Sequence, residues 1–394
     1  MRPELLAPAG DLERLKVALL YGADAVYIGG TKFSLRYRAS NFTLQEIEAG
    51  VVFAHALGKK VYVTVNIVVH NEDLCGLDEY LSDLEKIGVD AVIASSPYVI
   101  DQAINHPELA FHLSTQQSVA SSALVNFWGK KGVKRVVLAR EVTLDEINAI
   151  KKATKVELEV FIHGGMCSSY SGRCTLSNDL ADRDANRGGC AHSCRWNYDL
   201  FRNGELISNN ADFQMASKDL QTVRIIPDLI AARVSSLKIE GRMKSLHYIA
   251  TVVNAYRQVI DDTISHHLRS WNEYETAIAM AENRKTSSGF LIDLPVSEQQ
   301  LYQRGTVEPS QNFVGVILEY DPKTEIATIS QRNVFQNGDT VELFTPDGRN
   351  ERLTIKDLQD IDGNPIIIAN HAMQIVKMRC HQPVKLYDIL RKVS

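Results

Sequence analysis

Four cysteines fall within twenty-eight residues near the middle of the chain: Cys167, Cys174, Cys190 and Cys194. Only Cys75 and Cys380 lie elsewhere. Thiolates are soft ligands, suited to iron–sulfur clusters and to zinc. Gly164-Gly165 and Gly188-Gly189 lie just ahead of Cys167 and Cys190. Glycine admits positive φ and close backbone approach, as a loop folding over a cluster requires. The spacing is C-x6-C-x15-C-x3-C. It is not the doubled C-x2-C of a zinc ribbon. A radical-enzyme C-x3-C-x2-C run would need a cysteine where Asn197 stands. Spacing alone therefore leaves an iron–sulfur cluster, structural zinc and redox thiols open. His192 is either a substitute ligand or a bystander.

A second group of residues could bind anions or move protons. Arginine forks clamp carboxylate or phosphate bidentately, which makes Arg36, Arg140 and Arg242 candidates for holding a dicarboxylate or an RNA phosphate. Glu240 and His163 are candidates for proton transfer. Asn66, Gln116 and Glu141 complete a polar set. The competing reading is a structural salt-bridge network joining Glu141 or Glu240 to an arginine. Lys238, Arg242 and Lys244 form a basic run, suited to an RNA backbone or simply to a solvated face. Tyr170 and Trp196 are candidates for stacking a base, or for the core. No H-E-x-x-H or G-x-S-x-G appears, so only Cys167 with His163 or His192 could imitate a peptidase pair.

These residues need a frame, and the chain supplies a repeating one. Short apolar segments at 4–7, 25–28, 61–66, 91–94, 110–115, 135–139, 156–162 and 236–240 alternate with amphipathic stretches. The latter predict helices over 12–21, 47–57, 77–87, 143–153, 220–233 and 246–260, with Asp11 and Thr43 as caps. Eight strand–helix units over about 260 residues predict an α/β fold, a (β/α)8 barrel, with a doubly wound open sheet as the alternative. All the candidates for binding and proton transfer then sit at or just beyond strand ends, where barrels place their chemistry. The cysteines occupy the one overlong connection, an insertion near 163–217 after the seventh strand. Beyond about residue 305, short alternating segments at 314–318, 326–330, 340–344, 352–355 and 366–370 are punctuated by turns. They predict a small all-β barrel over 305–394, following a catalytic domain over 1–304. The polar stretch 282–289 reads as part of the linker.

With 394 residues, 45% hydrophobic and 23% charged, the chain can bury a sizeable core. Its net charge of −5 excludes a general nucleic-acid coat, so any RNA must meet local patches. The first residues read as neither signal peptide nor membrane anchor, and no run approaches the roughly 20 apolar residues of a membrane helix. The expectation is a cytoplasmic protein.

The longer motifs carry a family likeness. Phe161-Ile-His-Gly-Gly-Met-Cys167, Cys174-x-Leu-Ser177-Asn178, Arg183-Asp184-x-Asn186 and Cys190-x3-Cys194-Arg195-Trp196 resemble the signature of the U32 "peptidase" family. So do Glu4-Leu-Leu-Ala-Pro-Ala-Gly10, Asp24-Ala-Val-Tyr-Ile-Gly-Gly30 and Lys238-Ile-Glu-Gly-Arg-Met-Lys244. The likeness covers roughly residues 3–260, and the C-terminal segment resembles the domain appended to the tRNA-acting members. It implies an oxygen-independent hydroxylase with an iron–sulfur cluster, typically 4Fe-4S, on Cys167, Cys174, Cys190 and Cys194. It further implies tRNA as substrate, 5-hydroxyuridine at the wobble position as product, and prephenate as oxygen donor. Collagenase-like peptidase activity and an RNA-binding module with a structural metal are the alternatives. Whether a paralogous partner takes part is left open.

Overall fold

The computed structural model describes residues 2–35, 41–208, 213–281, 284–294, 297–301 and 312–392. Eight parallel strands close into a barrel. They are β1 (Glu4–Pro8), β2 (Ala25–Gly29), β3 (Lys60–Val65), β4 (Ala91–Ala94), β5 (Ala110–Leu113), β6 (Arg135–Val137), β7 (Glu157–Gly164) and β8 (Ser236–Ile239). Each pairs in parallel with its sequence neighbour, and β8 bridges β7 to β1. This closure decides against the open sheet. The strands are near-continuous apolar runs because both faces are covered, one by the barrel interior and one by helices. All five residues of β2 are buried, for example.

The helices begin where their caps stand. Asp11 accepts from the Arg14 amide ahead of α1 (Leu12–Leu20). Thr43 with Glu46 and Thr143 with Glu146 form reciprocal capping boxes on α2 (Leu44–Ala56) and α6 (Leu144–Lys152). Between them lie α3 (Leu77–Ile87), α4 (Pro97–Asp101) and α5 (Ser122–Lys130). The predicted helix over 220–233 is a correction. Leu220 belongs to a short strand, Asp219–Gln221, antiparallel to the end of β7. The helix proper is Ile226–Ala231, opening at Pro227, whose missing N–H is tolerated only in a first turn. The linker reading of 282–289 is corrected in part as well. Thr286–Ser287 pairs in parallel with Asp219–Gln221 and extends the barrel sheet.

The lower interior of the barrel is ionic where branched aliphatic layers are usual. Lys238 Nζ meets Glu159 Oε1 at 2.8 Å, and Glu159 Oε2 lies 3.3 Å from Arg135. Arg135 continues to Glu4 at 2.6 Å and Glu157 at 2.8 Å. Glu159 is fully buried. Burial pushes its carboxyl up, yet Lys238 and Arg135 outweigh that and hold it at about 2.

The C-terminal segment is all-β, as expected. Its main sheet runs Asn350–Thr354, Thr340–Phe344, Ile389–Lys392, Asn312–Asp321, Ile326–Gln331, Ile375–Arg379 and Gln359–Asp360, every pairing antiparallel. Of the predicted strand over 366–370, only Ile368–Ala369 is extended, paired with Phe335–Gln336. This domain packs on the barrel helices. Val316, Phe344 and Ile389 join the barrel's apolar cluster. Tyr21 donates to the carbonyls of Phe344 (2.9 Å) or Tyr387 (3.0 Å). No helix among the described residues is long and apolar enough to cross a membrane.

Candidate active site at the barrel mouth

The cysteine loop lies over the C-terminal ends of the strands because specific contacts pin it there. Glu141 accepts from both the amide and the hydroxyl of Ser171, each at 2.9 Å. The Ser171 carbonyl accepts from Ser118. At Gly172, φ is +72° and an added Cβ would sit 2.1 Å from the Gln116 carbonyl, so the loop rests directly on the turn after β5. Arg187 ties the far side to Asp73 (2.6 Å) and Glu72 (2.8 Å) after β3. Asn186 donates to the Cys174 carbonyl at 3.0 Å.

None of the four cysteines is in a disulfide. Cys167 and Cys190 are exposed, and Cys174 and Cys194 half-buried. Zinc needs its four donors about 2.3 Å from one point. Among the described residues, no three His, Cys, Asp or Glu side chains converge on a single ion. What the loop offers is its donor set: four cysteines on one pinned segment, the soft ligand type that iron–sulfur clusters and zinc both take.

His163, next to the last residue of β7, is buried and packs against the rings of Tyr248 and Tyr256. Its Nδ1 lies 3.3 Å from the Tyr256 hydroxyl. Burial, helped by the Lys244 charge and opposed by Glu240, lowers its pKa to about 3. The imidazole is therefore neutral at physiological pH. This contributes stability present above the unfolded value of 6.5 and lost as pH falls toward 3. A pH–rate profile should show no limb from His163 near 6.5, and its appearance there would place the imidazole in contact with water.

Glu240 follows β8, and its amide donates to the His163 carbonyl at 2.8 Å. Gly164 makes this contact possible. Its φ is +104°, and a Cβ there would meet the Glu240 carbonyl at 2.5 Å. Gly164→Ala is expected to lower the melting temperature and displace Glu240. An unchanged thermal transition would show that the crossing is not tight.

Around the next glycine, side chains gather. A Cβ on Gly165 would lie 3.2 Å from Arg195 Nη2, 3.6 Å from Glu240 Oε2 and 3.9 Å from Asp219 Oδ1. The Gly165 carbonyl accepts from Arg140 at 2.9 Å, and the Arg140 guanidinium covers the Phe161 ring at 4.0 Å. Lys244 and Arg284 approach Asp219 at 3.9 and 3.6 Å.

Arg242 is placed otherwise. Its buried guanidinium donates to Ser34 (3.0 Å), the Leu35 carbonyl (3.2 Å) and Asn41 (2.9 Å). Asn66 accepts from the Leu35 amide at 3.2 Å. These two residues shape the connection after β2. Arg36 lies outside the described residues. Arg242→Ala should lower the melting temperature, because Ser34, Asn41 and the Leu35 carbonyl lose their shared donor. An unchanged thermal transition would show that these bonds do not hold the connection after β2. Tyr170 and Trp196 are 50% and 42% exposed, so they are not core residues.

Sequence reasoning brought Arg140, Glu141, His163, Glu240, Lys244, Gln116 and the cysteine loop to one end of the barrel. It missed Asp219, Arg284 and the side chain of Arg195. Their separations along the chain carry no periodic signal, and the strand at 219–221, paired with β7 on one side and with Thr286–Ser287 on the other, brings Asp219 and Arg284 to the barrel mouth.

Comparison with known proteins places these features in a family. The sequence profile of peptidase family U32 matches residues 10–301, and that of the family's C-terminal domain matches 309–391. The chain is 44% identical to tRNA hydroxylation protein P1 of Bacillus subtilis, over 99% of this chain and 95% of that protein. It is 35% identical to tRNA hydroxylation protein P of Escherichia coli, over 93% and 91%. It is also 36% identical to the Escherichia coli 23S rRNA 5-hydroxycytidine C2501 synthase, over 78% of this chain but 45% of that one. A cysteine loop pinned over a closed parallel barrel, an appended all-β domain and likeness along both together make this chain a member of peptidase family U32.

Proposed function

We propose that this protein is an RNA-modifying enzyme that hydroxylates tRNA, converting a wobble uridine to 5-hydroxyuridine. The observation that carries the reading is the likeness to tRNA hydroxylation proteins along nearly the whole of both chains. The shorter overlap with the rRNA hydroxylase makes RNA hydroxylation the common ground and tRNA the favoured substrate. The cytoplasm is where such a substrate would be met.

Replacing C5–H by C5–OH removes two electrons from the base. With a hydroxyl donor R–OH, the balanced exchange releases R–H, and prephenate is the donor we propose. Cys167, Cys174, Cys190 and Cys194 would hold an iron–sulfur cluster, which would supply redox chemistry at the barrel mouth. The chain's own residues do the rest. Glu240, half-buried at the end of β8, is suited to take the C5 proton. Gln116 and Glu141 keep the loop seated over the mouth. Exposed Tyr170 and Trp196 offer faces for stacking, worth about 1–3 kcal/mol per base. A Cys167–His163 peptidase pair is disfavoured because His163 is buried against Tyr256.

The test is nucleoside mass spectrometry of tRNA from a host lacking such hydroxylases. Expression of the intact chain should add 5-hydroxyuridine or a product derived from it. Soluble, iron-bearing protein with no new nucleoside would overturn the tRNA assignment.

A further inference from the structure

The groups around Gly165 do not balance one another. Three cations, Arg195, Lys244 and Arg284, meet two carboxylates, Asp219 and Glu240. All are buried or half-buried. A closed charge-assisted bond would lie near 2.7–2.9 Å. Here Arg284 and Lys244 stand 3.6 and 3.9 Å from Asp219, and buried Asp219 Oδ1 accepts no hydrogen bond. The Arg140 Nε, also buried, is likewise unbonded. Among the described residues the Arg195 guanidinium has no hydrogen bond or ion pair, although it lies over Gly165. Burial, then the Arg195 charge, lowers Arg284, so these cations repel each other where they stand. Asp219 draws Arg284 and Lys244 toward one point, at distances longer than a closed ion pair.

We propose that this cationic cluster binds a small carboxylate anion, with Arg195 and Arg284 as its clamps and Asp219 as the positioning residue. A planar guanidinium matches a carboxylate in two parallel hydrogen bonds. The half-buried setting favours a guest small enough to leave bulk water, which a backbone phosphate within RNA does not do. An anion here would lie beside the Cys194 end of the cysteine loop and within reach of Glu240. That the natural guest is the oxygen donor rests on the function proposed above; that the site takes a carboxylate does not.

The experiment is calorimetric titration of the anaerobically purified full chain with prephenate and with malonate. Inorganic phosphate and tRNA serve as comparison arms. Saturable binding of at least one carboxylate is expected. Arg284→Gln and Arg195→Gln should each weaken it at least tenfold, with iron content and melting temperature unchanged. Arg284→Lys should restore most of the affinity. Three outcomes would overturn the proposal: no saturable carboxylate binding, equal binding by the intact chain and Arg284→Gln, or phosphate bound as tightly. Loss of iron in step with binding would also overturn it, because the cations would then serve the thiolates. If Arg284→Gln weakened tRNA binding alone, the cluster would be an RNA contact instead. Carboxylate binding without hydroxylated nucleoside would leave this site standing while removing the proposed function.

Discussion

Changing Cys190 to Ser is expected to abolish product formation and to remove the proposed iron–sulfur cluster. Anaerobically purified protein should carry about four iron and four sulfide per chain, the content of a 4Fe-4S cluster held by four thiolates. The variant should carry little or none. The expectation rests on the donor set. Four cysteines sit on one segment held by Glu141, Gln116 and Arg187, and none is in a disulfide. Serine at Cys190 replaces a soft thiolate by a poor, hard ligand at an exposed position, where it should not disturb the fold. Far-ultraviolet circular dichroism should therefore match that of the intact chain. Retention of full iron and sulfide in the variant would remove Cys190 from the ligand set. Zinc at one equivalent, with no iron, would replace the cluster altogether.

The largest effect on stability should come from Glu159→Ala. This carboxylate is fully buried between Lys238 and Arg135. Its removal leaves two cations inside the barrel, with Arg135 reaching only Glu4 and Glu157 on its other side. Breaking a buried ion pair in this way costs about 3–5 kcal/mol. Replacing Glu159 and Lys238 together by apolar residues should cost less than Glu159→Ala alone, since fewer charges are left unpaired. The pH dependence has a definite sign. The folded carboxyl titrates at about 2, below its ordinary 4.5. Its contribution is therefore complete above about 4.5 and is lost as pH falls toward 2. Urea titrations from about pH 6 down to about pH 2 should show the intact chain losing that contribution while the variant does not. Equal stability of the two at neutral pH would mean that the ionic column is not a structural element.

The barrel was legible because its signals are local. Apolar strands such as residues 25–29 and caps such as Asp11, Thr43 and Thr143 lie within a few residues of what they specify. Residue 220 was not legible. Leu220 starts an apolar stretch that reads as helix, yet its backbone pairs with Gly164, more than fifty residues away. The two last strands of the C-terminal domain, Ile375–Arg379 and Ile389–Lys392, also escaped the sequence reading. In both, lysine or arginine interrupts the apolar pattern.

The sequence by itself determined the repeat that closes the barrel, the family and the four cysteines on one overlong connection. Residue type, spacing and short-range periodicity suffice for each. Tertiary structure decided which polar strand-end residues act together. It buried His163 against Tyr256, committed Arg242 to Ser34 and Asn41, and assembled Arg195, Asp219 and Arg284 from three distant segments. Charge and burial are properties of a place, and no run of neighbouring residues specifies which distant groups will share it.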